Sequence, residues 1–158
     1  MLPLAGDGMI EVPNGLDEII ATFGDCHRPG FEADSIVSFP VPYALVYGTA
    51  MVFHTRCHRA LVPVFTGVLD AIKEAGLADR AAHYGGIYAQ RSIRAFPKFP
   101  STHSWGIAID LNPANNPLGG PNRQDPAVVA IFKKFGFVWG GEFKSRLDPM
   151  HFQYATGY

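Results

Sequence analysis

The sequence predicts an α+β domain, and three observations carry that reading. Residues 107–111 and 148–154 are short runs in which neighbouring side chains alternate in character, the period-two signature of strands. Leu61, Val64, Phe65, Val68, Leu69 and Ile72 recur at three- and four-residue steps, as do Val128, Ile131, Phe132 and Phe135, which is the spacing of helices with one apolar face. A length of 158 residues with 47% of them apolar suits one domain around a single core.

In chain order, residues 1–50 are rich in turn chemistry, at Pro13-Asn14-Gly15, Arg28-Pro29-Gly30 and Phe39-Pro40-Val41-Pro42. Leu16, Ile19, Ile20 and Phe23 predict a short helix, with Asn14 placed to cap it and Gly24 to stop it. Residues 36–39 and 45–47 are candidate strands, each very brief. The segment 1–50 reads as an N-terminal extension that packs on a single globular unit formed by residues 51–158.

A helical pattern runs from Thr55 to Ala75 and ends at Gly76, with Pro63 awkward inside it. Proline removes an intrahelical hydrogen bond, so it predicts either a kink or a helix that begins near Val62. His54 and His58 would share a face of that helix, but no acidic third ligand lies nearby, so no metal role is assigned to them. Residues 84–94 read as a glycine-softened strand carrying Arg91 and Arg94. Phe96-Pro97-Lys98-Phe99-Pro100 reads as a stiff connection that brings the chain into the site, its phenylalanines packing or, as the alternative, walling the cleft. Residues 112–126 form a loop long enough to rim a site. Asp125 caps and Pro126 opens a second helix that Gly136 terminates, and Phe137–Trp139 is a further strand.

The chemistry-bearing stretch is Ser101-Thr102-His103-Ser104-Trp105-Gly106-Ile107-Ala108-Ile109-Asp110-Leu111. On a strand, Ala108 and Asp110 share one face while Ile107, Ile109 and Leu111 share the other. A carboxylate on a mostly buried strand is costly without a partner, and His103 could fold back across the Gly106 turn to share a cation with Asp110. His151 supplies a third donor from a second strand, where Gln153 faces the same way, and the two strands could pair. Two imidazoles and one carboxylate, with a fourth position left for water, is the ligand count of a catalytic zinc site rather than of a closed structural one. Asp148 stands three residues before His151 and could act on that water.

Ser101-x-His103-x-x-Gly106-x-Ala108-x-Asp110, followed by Trp139-Gly140-Gly141 and Asp148-Pro149-x-His151-Phe152, resembles the zinc-dependent D-alanyl-D-alanine carboxypeptidase and L-alanyl-D-glutamate endopeptidase family, which cuts peptidoglycan stem peptides. The likeness is nearest its phage endolysin and cell-wall hydrolase branch and spans roughly residues 60–154. The resemblance implies a small antiparallel sheet carrying the metal, packed against helices, and one zinc ion (Zn2+) held by His103, Asp110 and His151. It also implies Asp148 as the general acid and base and an arginine that steadies the developing oxyanion; Arg91 best matches that place, with Arg94 the competing candidate. Arg94 and Ser101 are read as substrate-binding, Ser101 either orienting substrate or fixing the turn. Asp148-Pro149-Met150 is the form of the endopeptidase branch, where many carboxypeptidase relatives carry glutamate and tryptophan. Cleavage between L-alanine and D-glutamate is therefore expected over removal of terminal D-alanine. A non-catalytic wall-binding or phage structural module on the same fold is the reading from another class.

Composition sets the remaining expectations. A net charge of −1 with no basic run argues against a nucleic-acid or anionic-membrane partner. No stretch approaches the roughly 18 apolar residues of a membrane span, and Met1–Asp7 lacks the charged and apolar regions of a signal peptide. A soluble monomer acting on the cell wall is expected. Cys26 and Cys57 read as unlinked thiols, with a disulfide between them or a metal as alternatives.

Overall fold

Alternating apolar residues in the second half of the chain build the sheet that matters most. The computed structural model describes residues 10–158, and the Met1–Asp7 reading falls outside them. Twelve regular elements follow in order: α1 (Gly15–Phe23), α2 (Phe31–Ser35), β1 (Ile36–Tyr47), β2 (Ala50–His58), α3 (Val62–Glu74), β3 (Tyr84–Gly86), β4 (Ser92–Ile93), β5 (Phe96–Pro100), β6 (Ala108–Leu111), α4 (Pro126–Lys134), β7 (Val138–Trp139) and β8 (His151–Gln153). The architecture is α+β. A four-stranded antiparallel sheet in the order β3-β6-β8-β7 is flanked by two hairpins, β1-β2 and β4-β5. Among the described residues no helix is long and apolar enough to cross a membrane.

One buried apolar cluster joins the sheet to the helices. Ile109, Leu111 and Phe152 from the sheet meet Phe65, Val68 and Ile72 of α3 and Val128 and Phe132 of α4, and Ile19, Phe23 and Phe31 belong to the same cluster. Phe132 stacks on Phe152 with ring centroids 4.2 Å apart, an offset aromatic pair that ties α4 to β8. The β1-β2 hairpin turns at residues 48–49, so residue 50 opens a strand paired with the segment before it. His58 N–H donates to the Gly106 carbonyl (2.9 Å) and the Trp105 indole N–H to the Gly24 carbonyl (2.8 Å). Residues 10–58 thus reach the chemistry-bearing turn through one backbone bond and one bond from the Trp105 indole.

Several local expectations are corrected. Residues 36–39 and 45–47 are one strand, whose pairing register shifts between Pro40 and Leu45. Prolines 40 and 42 have no N–H to donate, so the ladder breaks there while the strand continues. The helix expected from Thr55 begins at Val62, because residues 50–58 pair with β1; Pro63 falls in its first turn, where the missing N–H costs nothing. His54 and His58 therefore lie on a strand. His58 is buried against the Phe23 carbonyl and the Ala60 N–H, while His54 is exposed. The strand expected over 84–94 is two short strands in different sheets, parted after Gly86 at φ +104°. The connection 96–100 is a strand of a hairpin, and Phe96 and Phe99 are exposed on it rather than packed. Asn14 precedes α1 without a side-chain cap bond; its Oδ1 accepts from Thr156 instead.

Candidate metal centre

The centre is assembled by one strand register and one turn. Across β6 and β8, Asp110 stands opposite His151 and Ala108 opposite Gln153, so the polar faces of the two strands coincide. His103 arrives from a single 3-10 turn, Thr102–Trp105, which Ser101 caps by accepting the His103 N–H. Gly106 then reverses the chain at φ +71°. A Cβ at Gly106 would overlap the backbone nitrogen of His58, so both the left-handed turn and the close approach of β2 require glycine.

The result is a near-equilateral triangle of donor atoms. Asp110 Oδ1 lies 3.2 Å from His103 Nε2 and 3.3 Å from His151 Nδ1, and the two nitrogens are 3.3 Å apart. All three side chains are buried. The atoms behind each ring decide where its lone pair points. His103 Nδ1 is 2.7 Å from the Ile87 carbonyl, which can only accept, so Nδ1 carries the proton and Nε2 is bare toward the centre. His151 Nε2 is 2.8 Å from Gln153 Oε1. The Gln153 amide nitrogen donates to the Ala155 and Tyr158 carbonyls, which fixes its oxygen toward the ring and leaves His151 Nδ1 bare.

Two lone pairs and a carboxylate oxygen facing one another inside a buried pocket repel unless a cation or a proton sits between them. Donors about 2.0–2.1 Å from a tetrahedral ion lie about 3.3–3.4 Å apart, which is the spacing seen here. His103, Asp110 and His151 therefore fit a divalent metal, and each imidazole already has the outward hydrogen bond that metal-bound histidines make. Without metal, protons fill the role. Burial works to raise Asp110, but the bonds and charges of His103 and His151 outweigh it and hold the carboxyl well below its usual range. Burial likewise works to lower His151, and Asp110 overcomes it and raises the imidazole.

The triangle opens onto a cleft of about 750 Å³. Asp148 and Arg91 line it together with Asp110 and His151, and so do Ser101 and Arg94. Burial pushes Asp148 above the ordinary carboxylate value, and the charge of Asp110 adds to the rise. The Arg91 guanidinium stands 3.9 Å from Asp110 Oδ2. Its backbone is fastened to the metal turn, since the Ser104 hydroxyl accepts from Arg91 N–H (3.0 Å) and donates to its carbonyl (2.8 Å).

Trp139-Gly140-Gly141 has a steric reason in the same region. The Gly140 carbonyl accepts from both Phe143 N–H (3.2 Å) and Asp148 N–H (2.8 Å), pinching the loop that ends at Asp148. A Cβ on Gly140 would overlap the Asp148 carbonyl oxygen, and one on Gly141 would enter the Trp139 ring.

Two glutamines complete the centre beyond what the motifs predicted. Gln153 sets the His151 tautomer; its place two residues on, along the same strand face, is the only signal the sequence carried. Buried Gln124 donates to the Leu111 carbonyl (2.6 Å) and the Pro149 carbonyl (3.2 Å), joining the end of β6 to the approach to β8. Nothing in the local pattern of residues 112–126 singles it out.

Asp25, Cys26 and His27 also bring donor atoms within reach of one another. Asp25 Oδ1 is occupied by the His27 N–H, and burial pushes the Cys26 thiol up to about 11. Cys57 is pushed up to about 12 by burial, and both cysteines are free.

Residues 96–154 match the family model described as D-alanyl-D-alanine carboxypeptidase. The matched stretch is a little over a third of the chain; it contains the three donor residues and Asp148, and leaves Arg91 and Arg94 outside. No curated protein and no solved structure matches the chain.

Proposed function

We propose that the protein is a zinc-dependent peptidase that hydrolyses peptidoglycan stem peptides, cutting between L-alanine and D-glutamate. The observation that carries this reading is the donor triangle of His103, Asp110 and His151, with both imidazole lone pairs aimed inward and the whole open to a cleft that holds a carboxyl of raised pKa. The similarity of residues 96–154 to a peptidase family supports the same direction.

Zinc, when bound, supplies Lewis acidity, polarising a carbonyl and acidifying water. The chain's own groups do the rest. Asp148 accepts the proton of the attacking water and returns it to the leaving amine, a task that suits a carboxyl raised toward the working pH. Arg91 faces the charge that develops on the carbonyl oxygen, and its fork of donors suits an oxyanion. Arg94 holds substrate at the cleft's edge, and Ser101, whose hydroxyl already accepts the His103 N–H, keeps the turn in shape beside it. Residues 10–58 act as part of the catalytic unit, because β2 and the Gly24 carbonyl brace the Gly106 turn.

Removal of terminal D-alanine is the second reading, favoured by the description of the matched family. Incubating zinc-loaded protein with purified sacculi and, separately, with a stem pentapeptide, then identifying new termini by mass spectrometry, distinguishes them. New N-terminal D-glutamate supports the endopeptidase, and free D-alanine alone supports the carboxypeptidase. Bound zinc with no cleavage of either substrate refutes both and leaves a wall-binding module.

A further inference from the structure

The cleft carries more positive charge than the proposed chemistry uses. Arg91, Arg94, Lys144 and Arg146 all line it. Arg91 stands by Asp110, but among the described residues no carboxylate lies within ion-pair distance of Arg94, Lys144 or Arg146, and their side chains make no hydrogen bond. Of the two acids that line the cleft, Asp110 is committed to the two histidines, and the half-buried Asp148 makes no ion pair with Arg94, Lys144 or Arg146.

These three cations come from two segments whose backbones are tied to the rest of the fold. Arg94 sits at the turn of the β4-β5 hairpin, which Ser101 N–H closes at its base by donating to the Arg91 carbonyl (2.8 Å). Lys144 and Arg146 sit on the loop pinched by the Gly140 carbonyl, and Gly119 N–H ties that loop to residues 112–125 by donating to the Leu147 carbonyl (2.6 Å). Like charges gathered on one cavity repel, and the repulsion is relieved by an anion bound among them. A chain of net charge −1 has no general excess of cations to account for the gathering. The apolar part of the lining, Ile93, Phe96, Leu118 and Phe143, suits a peptide backbone and small side chains more than a free ion.

We propose that Lys144 and Arg146, facing the same cavity as Arg94, form a carboxylate-binding clamp that makes the cleft selective for an acidic peptide over the same peptide with its carboxylates amidated. This rests on the peptidase reading above. It adds specificity determinants on a loop that no motif contains, and a substrate requirement, free carboxylates near the scissile amide.

The test pairs two synthetic stem peptides of identical sequence, one with free α-carboxylates and one amidated, with zinc-loaded wild type, Lys144→Gln/Arg146→Gln and Arg94→Gln. Thermal melts establish that the exposed substitutions leave the fold intact. Wild type is expected to favour the acidic peptide by about 10–100-fold in kcat/KM, a preference that weakens with added salt, as charge-assisted bonds at a solvent-open site do. In the double variant the preference falls to within about 2-fold, mostly through KM on the acidic peptide. Equal kcat/KM for both peptides in wild type, or an unchanged preference in the double variant, overturns the clamp. Calorimetric binding to Asp148→Asn protein keeps the two readings apart. Tighter binding of the acidic peptide with no hydrolysis of either by wild type sinks the peptidase and leaves the clamp standing, whereas hydrolysis of both with equal affinities does the reverse.

Discussion

Asp110 and His151 face each other across β6 and β8, with Asp110 Oδ1 3.3 Å from His151 Nδ1. A one-residue slip of this register would send His151 to the opposite face of the sheet and dissolve the donor triangle. Asp110→Ala and His151→Ala are therefore expected to lose stoichiometric zinc. Asp148→Asn should keep it and lose turnover by about 10²–10⁴-fold. Metal analysis beside peptide kinetics checks both halves, and a zinc-replete His151→Ala protein would refute the centre.

Gln153 touches the donor triangle at His151 Nε2, on the side of the ring that faces away from the centre. Gln153→Leu removes the acceptor that sets the tautomer and should weaken zinc affinity by about 10–100-fold, while Gln153→Glu, which keeps an acceptor, should retain most of it. Chelator competition reads the difference directly. Equal affinity in the leucine variant would reduce Gln153 to packing.

Gly140→Ala places a methyl group against the Asp148 carbonyl and must push the loop outward. The donor triangle is built from other segments, so zinc binding should persist. Turnover should fall by as much as about 10²-fold, the scale of a 1 Å misplacement of a catalytic group. Wild-type kcat/KM in this variant would mean that the pinch has no catalytic consequence.

Metal-free protein should show a pH-dependent stability that zinc removes. The His151 imidazole is raised in the fold, so its contribution is fully present below the ordinary histidine value of about 6.5 and is lost as pH rises through the folded value. Asp110 is depressed, so its contribution is present above about 3.9 and is lost as pH falls toward the folded value. The apoprotein should thus lose stability on the alkaline side, with a slope of at most about 1.4 kcal/mol per pH unit for one proton. Zinc replaces that proton, so the loaded protein should not share the decline. Melting temperatures from pH 5 to 9, with chelator and with zinc, decide it; parallel profiles would contradict the shared-proton account.

Deleting residues 1–50 removes the partner of β2 together with Ile19, Phe23 and Phe31 from the core cluster. Burying a side chain of that size contributes about 1.5–3 kcal/mol each, comparable in sum to the stability of a whole domain. The truncated chain should show no cooperative thermal transition. A sharp melt would mean that the remainder folds alone.

Local pattern made some of this structure legible. The apolar stripe of α3 matches its buried face, because a residue's face follows from its own spacing, whereas β6 and β8 are buried on both faces and their alternation separates donor side chains from apolar ones. The hairpin β1-β2 was poorly legible: Pro40 and Pro42 interrupt the pattern, and only pairing with residues 50–58 makes one strand of it. That pairing also overrode the helical spacing at Thr55, since a strand partner supplied hydrogen bonds that the first turn of a helix leaves open. Phe96 and Phe99 misled because composition alone does not say whether a ring faces a core or a cleft.

Sequence alone determined which side chains offer donor atoms, and that His103 and Asp110 stand on either side of a glycine turn, while Asp148 stands one short step before His151. Those offsets are local, and covalent geometry carries them into any fold. Tertiary structure decided that the two motifs, 41 residues apart at Asp110 and His151, meet in one register, that Gln153 and the Ile87 carbonyl turn both imidazole lone pairs inward, and that Lys144 and Arg146 join Arg94 around one cavity. The physical reason is that register, tautomer and shared charge depend on partners from distant segments, which exist only once the chain has closed on its core.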